Sequence, residues 1–140
     1  QVAGVDYNRV AIILAVLERR VGIALQTQDV YVNVAGGVKT TEPACDLAIA
    51  MAVASSYYGR PVDPATIVFG EVGLGGEVRS VGHPSERLSE AARLGFRRAV
   101  VPAKSKEGDK AAGIEVRGVK SVEEAIELAL GGKAGRDVRG

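Results

Sequence analysis

The sequence predicts an α/β domain. Two observations predict it. Apolar residues recur at helical spacing in separate stretches, at Val10, Ile13, Leu14, Leu17 and Val21 and again at Val122, Ala125, Ile126, Ala129 and Leu130. Between them lie short runs of strand length and composition, and the two kinds of element alternate in the order helix, strand, helix, hairpin, helix, strand, strand, helix.

Each element has a local reason. Asp6 is a good N-cap for a first helix running to about Arg20, with Gly22 just past its end. Arg9, Glu18 and Arg19 mark its wetter side. Asp29 to Val34 alternates, with Val30, Val32 and Val34 on one face and Tyr31 and Asn33 on the other, as a half-buried strand does. Residues 35–42 read as a loop. Thr41 with Pro43 starts a second helix, Ala44 to Tyr58, apolar nearly all round and therefore central and buried. Arg60 to Thr66 is a Pro-rich connector. Ile67 to Glu71 and Glu77 to Val81 read as the strands of a hairpin turning at Gly73-Leu74-Gly75-Gly76. Pro84 opens a third helix that closes at Gly95. Arg98 to Val101 and Ile114 to Arg117 are short strands. Ser121 with Glu124 forms a capping box for the last helix. From Gly131 to Gly140 the chain is Gly-rich and basic, which predicts a disordered tail. The organisation expected is one domain over 1–130 and a tail over 131–140.

Bulk properties narrow the function classes. The chain has 140 residues, enough for one domain with a sizeable core. No apolar run reaches membrane-spanning length, which argues against a membrane partner. It begins on Gln1-Val2-Ala3-Gly4, without Met or a secretory signal, which suggests a fragment of a longer protein. One cysteine, Cys45, permits a reducing compartment and fits a cytoplasmic location. Trp is absent and aromatics are 4% of residues, so a base-stacking platform for single strands is poorly supplied. Net charge is +1, so a nucleic-acid partner would need basic residues segregated onto one surface.

Several motifs invite chemistry and do not carry it. Gly37-Val38-Lys39-Thr40 resembles the end of a phosphate-binding loop, but Val38 separates the Gly from the Lys and position 32 is Val where a Gly is needed. Lys39 is left as an exposed loop lysine able to meet phosphate. Gly73-Leu74-Gly75-Gly76 sits between strands rather than before a helix, and Val78 stands where a dinucleotide fingerprint has its third Gly. With His83 the only histidine and Cys45 the only cysteine, no metal-ligand spacing exists, and no cofactor is expected in this chain. His83, before Pro84, reads as a turn residue. Cys45 lies at a helix start, which lowers a thiol pKa, but Glu42 and Asp46 push the other way, and the structural reading is favoured.

The stretch Glu42-Pro43-Ala44-Cys45-Asp46 leads to a more specific reading. With the anchors Gly59-Arg60-Pro61-Val62, Gly70-Glu71-Val72, Gly76-Glu77-Val78 and Arg87-Leu88, the segment from Asp29 to Val101 resembles the proteolytic domain of Lon-type ATP-dependent proteases. That family keeps a Pro-Ser-Ala-Gly nucleophile motif at this helix start and a catalytic lysine at the start of the next long helix. Here Ala44 stands at the serine position and Arg87 at the lysine position. Alanine has no nucleophilic atom, and arginine stays protonated and cannot be a neutral base. The resemblance implies the fold shared with the second domain of ribosomal protein S5, with the catalytic dyad degenerate.

A narrower resemblance rests on Asp6-Tyr7-Asn8-Arg9, Gln28-Asp29-Val30-Tyr31-Val32-Asn33-Val34-Ala35-Gly36-Gly37, Glu42-Pro43-Ala44 and Phe69-Gly70-Glu71-Val72-Gly73-Leu74. These resemble the C-terminal part of the bacterial RadA (Sms) family, RecA-like ATPases of DNA repair. The resemblance implies an inactive Lon-like domain stacked as a hexameric ring on an ATPase ring, with ATP and Mg bound only in that upstream part. It implies homo-oligomerisation and sequence-nonspecific DNA contact during recombinational repair, with a recombinase as a further partner. DNA contact is expected first at Lys39 and Arg79, whose regions border the former active-site groove in the family. Arg87 is a further candidate, weighed evenly against a plain helix ion pair with Glu86 or Glu90. Arg9 is another, with Arg19, Arg20, Arg60, Arg97 and Arg98 behind it as charges that solvation alone explains. Two alternatives stay open: a peptidase with a non-standard nucleophile, Cys45 foremost, and a pure oligomerisation module.

Overall fold

The structure, a computed structural model, describes residues 7–24, 42–108 and 113–131. The expected strand over 29–34, the loop carrying Lys39 and the tail over 132–140 lie outside the described residues, as does the Asp6 cap.

The apolar stripe of the first segment folds as α1, Tyr7–Val16, and continues through a π-helical turn over Leu17–Val21. Gly22 ends it at φ 83°, a left-handed conformation that glycine adopts without a Cβ penalty. Val10, Ile13, Leu14 and Leu17 are buried, as the spacing predicts, and Val16 joins them. After a 3-10 turn at Pro43–Cys45 the second helix, α2, runs Asp46–Tyr58 and stops at Gly59. It is central, packing on α1 and on the last helix. It is not buried all round: Ala52, Ser56 and Tyr57 are exposed. Small residues make most of this outer face, so its apolar character in sequence does not require burial.

Three parallel strands form the sheet, β1 (Thr66–Val68), β4 (Arg98–Pro102) and β5 (Glu115–Val119), in the order β1-β4-β5. Their register aligns Ile67, Ala99 and Val116 in one row. That row faces the third helix, α3 (Pro84–Arg93), through Leu88, Phe69 and Val101. Val100 and Val119 point the other way, into the larger core with α1, α2 and the last helix. Helices thus cover both faces of a parallel sheet, and the central strand β4 is buried from Ala99 to Pro102. The α/β class expected from the sequence is the class observed.

The hairpin differs from expectation. Ile67 to Glu71 is not one strand. β1 ends at Val68, and the chain starts again as β2 (Glu71–Val72), antiparallel to β3 (Val78–Arg79). Gly70 makes the break. It sits at φ 154°, and a Cβ there would lie 2.8 Å from Val78 Cγ1. Its backbone leaves the sheet to bond the start of α2 instead. A short helix, α4 (Ala103–Gly108), follows β4, in a stretch of sequence without a periodic signal. The last helix, α5, spans Val122–Leu130. Ser121 Oγ accepts from Glu124 N–H at 3.1 Å as a capping box requires, while Glu124 Oε1 accepts from Lys120 N–H at 2.8 Å, one residue further back than the usual pairing. Among the described residues no helix is long and apolar enough to cross a membrane.

Candidate functional site

The site is built from a helix start. The first N–H groups of a helix have no partner within it. Pro43 has no N–H to satisfy, and its fixed φ sets the 3-10 turn. Cys45 N–H donates to Glu42 O at 3.0 Å, and Leu47 N–H donates to Gly70 O at 3.0 Å. Gly70 N–H in turn donates to Ala44 O at 2.9 Å. This reciprocal clamp fixes the backbone of residue 70, and the Val78 side chain on β3 leaves no room for a Cβ there. Ala44, at the serine position of the Lon pattern, is 3% exposed and offers only a methyl group.

Asp46 is the buried polar centre. Its Oδ1 accepts from Arg9 Nε at 3.0 Å, and its Oδ2 accepts from Arg9 Nη2 at 2.5 Å and from Val72 N–H at 3.1 Å. A carboxylate in the first turn of α2 also faces the positive end of the helix dipole. Glu71 Oε2 lies 3.4 Å from Arg9 Nη2. The Arg9 pKa is raised further, chiefly by the hydrogen bond to Asp46, against the lowering effect of burial. Arg9 therefore ties α1 to α2 and β2.

Arg87, at the lysine position, reaches the same turn. Its Nη2 donates to Glu42 Oε1 at 2.5 Å, its Nε donates to Gly82 O at 2.8 Å, and its guanidinium lies 5.9 Å from the centre of the Phe69 ring. The expected partners Glu86 and Glu90 are taken elsewhere. Glu86 Oε1 lies 3.1 Å from His83 Nδ1, and Glu90 binds Arg93, which holds the Glu90 carboxyl below its ordinary pKa. Arg87 points across to α2 rather than along its own helix. Arg87 and the turn that carries Ala44, far apart in sequence, are thus joined through Glu42. His83 is exposed at φ 59°, in keeping with a turn residue.

Arg79 lies on the exposed side of β3. Its Nε and Nη2 donate to Glu77 Oε2 at 2.9 and 2.7 Å, and Glu77 Oε1 accepts from Gly75 N–H at 3.0 Å. Glu77 is held below the ordinary carboxylate pKa, first by its own backbone N–H and then by Arg79. Arg98 is drawn to Asp63 and Glu115, at 3.4 and 3.6 Å.

Comparison with known proteins places this arrangement. Residues 6–105 match the family model described as subunit ChlI of Mg-chelatase. The chain belongs to that family. It is also 54% identical over 130 residues to the DNA repair protein RadA of Bacillus subtilis (strain 168), covering 92% of this chain and 28% of that protein. It is 51% identical to the DNA repair protein RadA of Halalkalibacterium halodurans, over 91% of this chain and 28% of that protein. For the DNA repair protein RadA of Synechocystis sp. the identity is 50%, over 91% and 25%. The resemblance to bacterial RadA carried by Asn33-Val34-Ala35-Gly36-Gly37 and Glu42-Pro43-Ala44 agrees with these relatives. The chain spans only about a quarter of the length of each.

Sequence reasoning misses two acids. Glu42 and Asp46 read locally only as neighbours that disfavour a Cys45 thiolate. Their partners lie 45 and 37 residues away, at Arg87 and Arg9. No local spacing reports such pairs. The one signal in the chain is the acid just inside an otherwise apolar helix, which a buried site tolerates only with a partner.

Proposed function

We propose that the chain is a non-proteolytic domain of a DNA repair protein, in which a Lon-like frame serves ring assembly and sequence-nonspecific DNA contact. One observation carries the loss of chemistry: Ala44 is buried where the nucleophile would stand, and Arg87 is bound to Glu42 where the base would stand. A hydroxyl must attack and a neutral amine must take its proton. Neither group exists at these positions, and the arginine cation is further fixed by its carboxylate. Purified chain should leave casein and fluorogenic peptides uncut, with or without ATP. Cleavage that disappears in Cys45→Ala would establish the peptidase alternative instead.

The names of the relatives support a place in DNA repair. ATP and Mg would bind in the part of the protein upstream of this chain, a hexameric ring would be the assembled state, a recombinase would be the protein partner, and the cytoplasm would be the compartment. Sedimentation velocity over a concentration series should reveal species larger than a monomer. Among the described basic residues expected at DNA, Arg79, Arg9 and Arg87 are all engaged by carboxylates, and Arg79 has the most exposed side chain, at 57% against 24% and 29%. DNA contact is therefore assigned to Arg79 before Arg87 and Arg9, and to Lys39 on the sequence resemblance alone. Contact through phosphates makes binding steeply salt-dependent. A chain that assembles but binds no DNA even at low salt would reduce the role to oligomerisation.

A further inference from the structure

The carboxyl ends of β4 and β5 leave the sheet side by side. Their register pairs Pro102 with Val119, so the residues that follow, Ala103-Lys104 and Lys120, emerge at the same edge. The hairpin is tied to that edge too: Val78 N–H donates to Lys120 O at 2.9 Å, which sets Arg79 and Ser80 beside it. The result is a groove of about 470 Å³ whose polar lining includes Arg79, Lys104 and Lys120, with Val78 and Pro102 as apolar wall and no acidic residue among its described lining. Lys104 and Lys120 are exposed. Two carboxylates stand nearby, one paired with Arg79 itself and the other turned to backbone. Glu77 holds Arg79 by Nε and Nη2, and Glu124 accepts the Lys120 backbone N–H rather than its ammonium group.

Here Lys104 and Lys120, set side by side by the pairing of β4 with β5, add two exposed positive charges next to the Arg79–Glu77 pair. We infer that Arg79, Lys104 and Lys120 form a phosphate-binding groove that takes the sugar-phosphate backbone of a nucleic acid. The groove is open and its lysines are solvent-exposed point charges, which suits a continuous chain of phosphates. A small phosphate ligand would instead call for a preformed, mostly enclosed site. This inference rests on the DNA-contact reading and extends it to Lys104 and Lys120.

The test is fluorescence anisotropy with a labelled random-sequence DNA duplex, measured on the chain over a potassium chloride series. Lys104→Ala/Lys120→Ala should bind about ten-fold more weakly at low salt, and its log–log salt slope should be shallower by roughly 0.9 for each phosphate no longer neutralised. Lys104→Arg/Lys120→Arg keeps both charges and should bind like the parent, with thermal unfolding of each variant as the folding control. A parent that binds DNA and an alanine variant that binds equally at every salt concentration would overturn the groove and leave the DNA reading standing. A parent that binds no DNA at low salt would overturn both. Saturable binding of inorganic phosphate that is abolished in the alanine variant while its DNA affinity is unchanged would assign the groove to a free phosphate and overturn the inference.

Discussion

At the start of α2, Arg9 and Arg87 each end on a carboxylate. At the carboxyl edge of the sheet, Lys104 and Lys120 are exposed around a groove without an acid in its described lining. The residue types match the two environments. The planar guanidinium suits two-point contact with Asp46 and with the Glu42–Gly82 pair, where it fixes separate segments of backbone. The ammonium is a compact charge on a flexible stem and keeps its reach when exposed. A net charge of +1 therefore says little about the surface. Internal pairing absorbs Arg9 and Arg87 near the start of α2 and leaves Lys104 and Lys120 at a separate edge.

Breaking the first region should cost stability. Asp46→Ala removes the main acceptor of Arg9 and leaves the buried Val72 N–H unsatisfied. Loss of one partner of a buried pair costs several kcal/mol; Arg9 is 24% exposed and keeps Glu71, so we expect about 3 kcal/mol, read as a lower urea midpoint. Asp46→Asn keeps an acceptor for Val72 and should lose less. Gly70→Ala comes next. Its strained φ and the close approach to Val78 should together cost about 2 kcal/mol, seen in the same unfolding experiment. Breaking the second region should act on binding alone, as the ten-fold loss in the paired lysine variant.

The smallest effect concerns Glu77. Its folded pKa is lowered, so its contribution is complete above its unfolded value and is lost as pH falls through the lowered value. A carboxyl titration followed by NMR should place the Glu77 midpoint below those of unpaired glutamates. Arg79→Ala should move it part of the way back, because the backbone N–H remains.

Much of the frame is legible in the chain. Val10, Ile13, Leu14 and Leu17 announce the buried face of α1 by spacing, and Val122, Ala125 and Ile126 do the same for α5. Pro84 and Gly22 mark ends that the structure confirms. The break at Gly70 is not legible, because β1 and β2 both carry apolar residues and the reason to separate them is a clamp to Ala44, 26 residues earlier. The helix α4 carries no amphipathic signal in six residues. At the site, the absence of a nucleophilic atom on Ala44 and of a neutral base on Arg87 can be read directly from residue type. The Glu42–Arg87 and Arg9–Asp46 pairs cannot, nor can the meeting of Lys104 with Lys120, since these depend on which segments the fold brings together.

The contrast between the two regions is tested most directly by measuring Arg87→Ala and Lys104→Ala/Lys120→Ala side by side, for thermal stability and for duplex binding at one low salt concentration. Arg87→Ala should lose about 1 kcal/mol of stability or less, the range for a partly exposed pair, and weaken DNA binding less than the lysine pair does. The lysine pair should unfold like the parent and bind about ten-fold more weakly. DNA binding that falls in Arg87→Ala and not in the lysine pair would reverse the division, placing the contact surface at the start of α2.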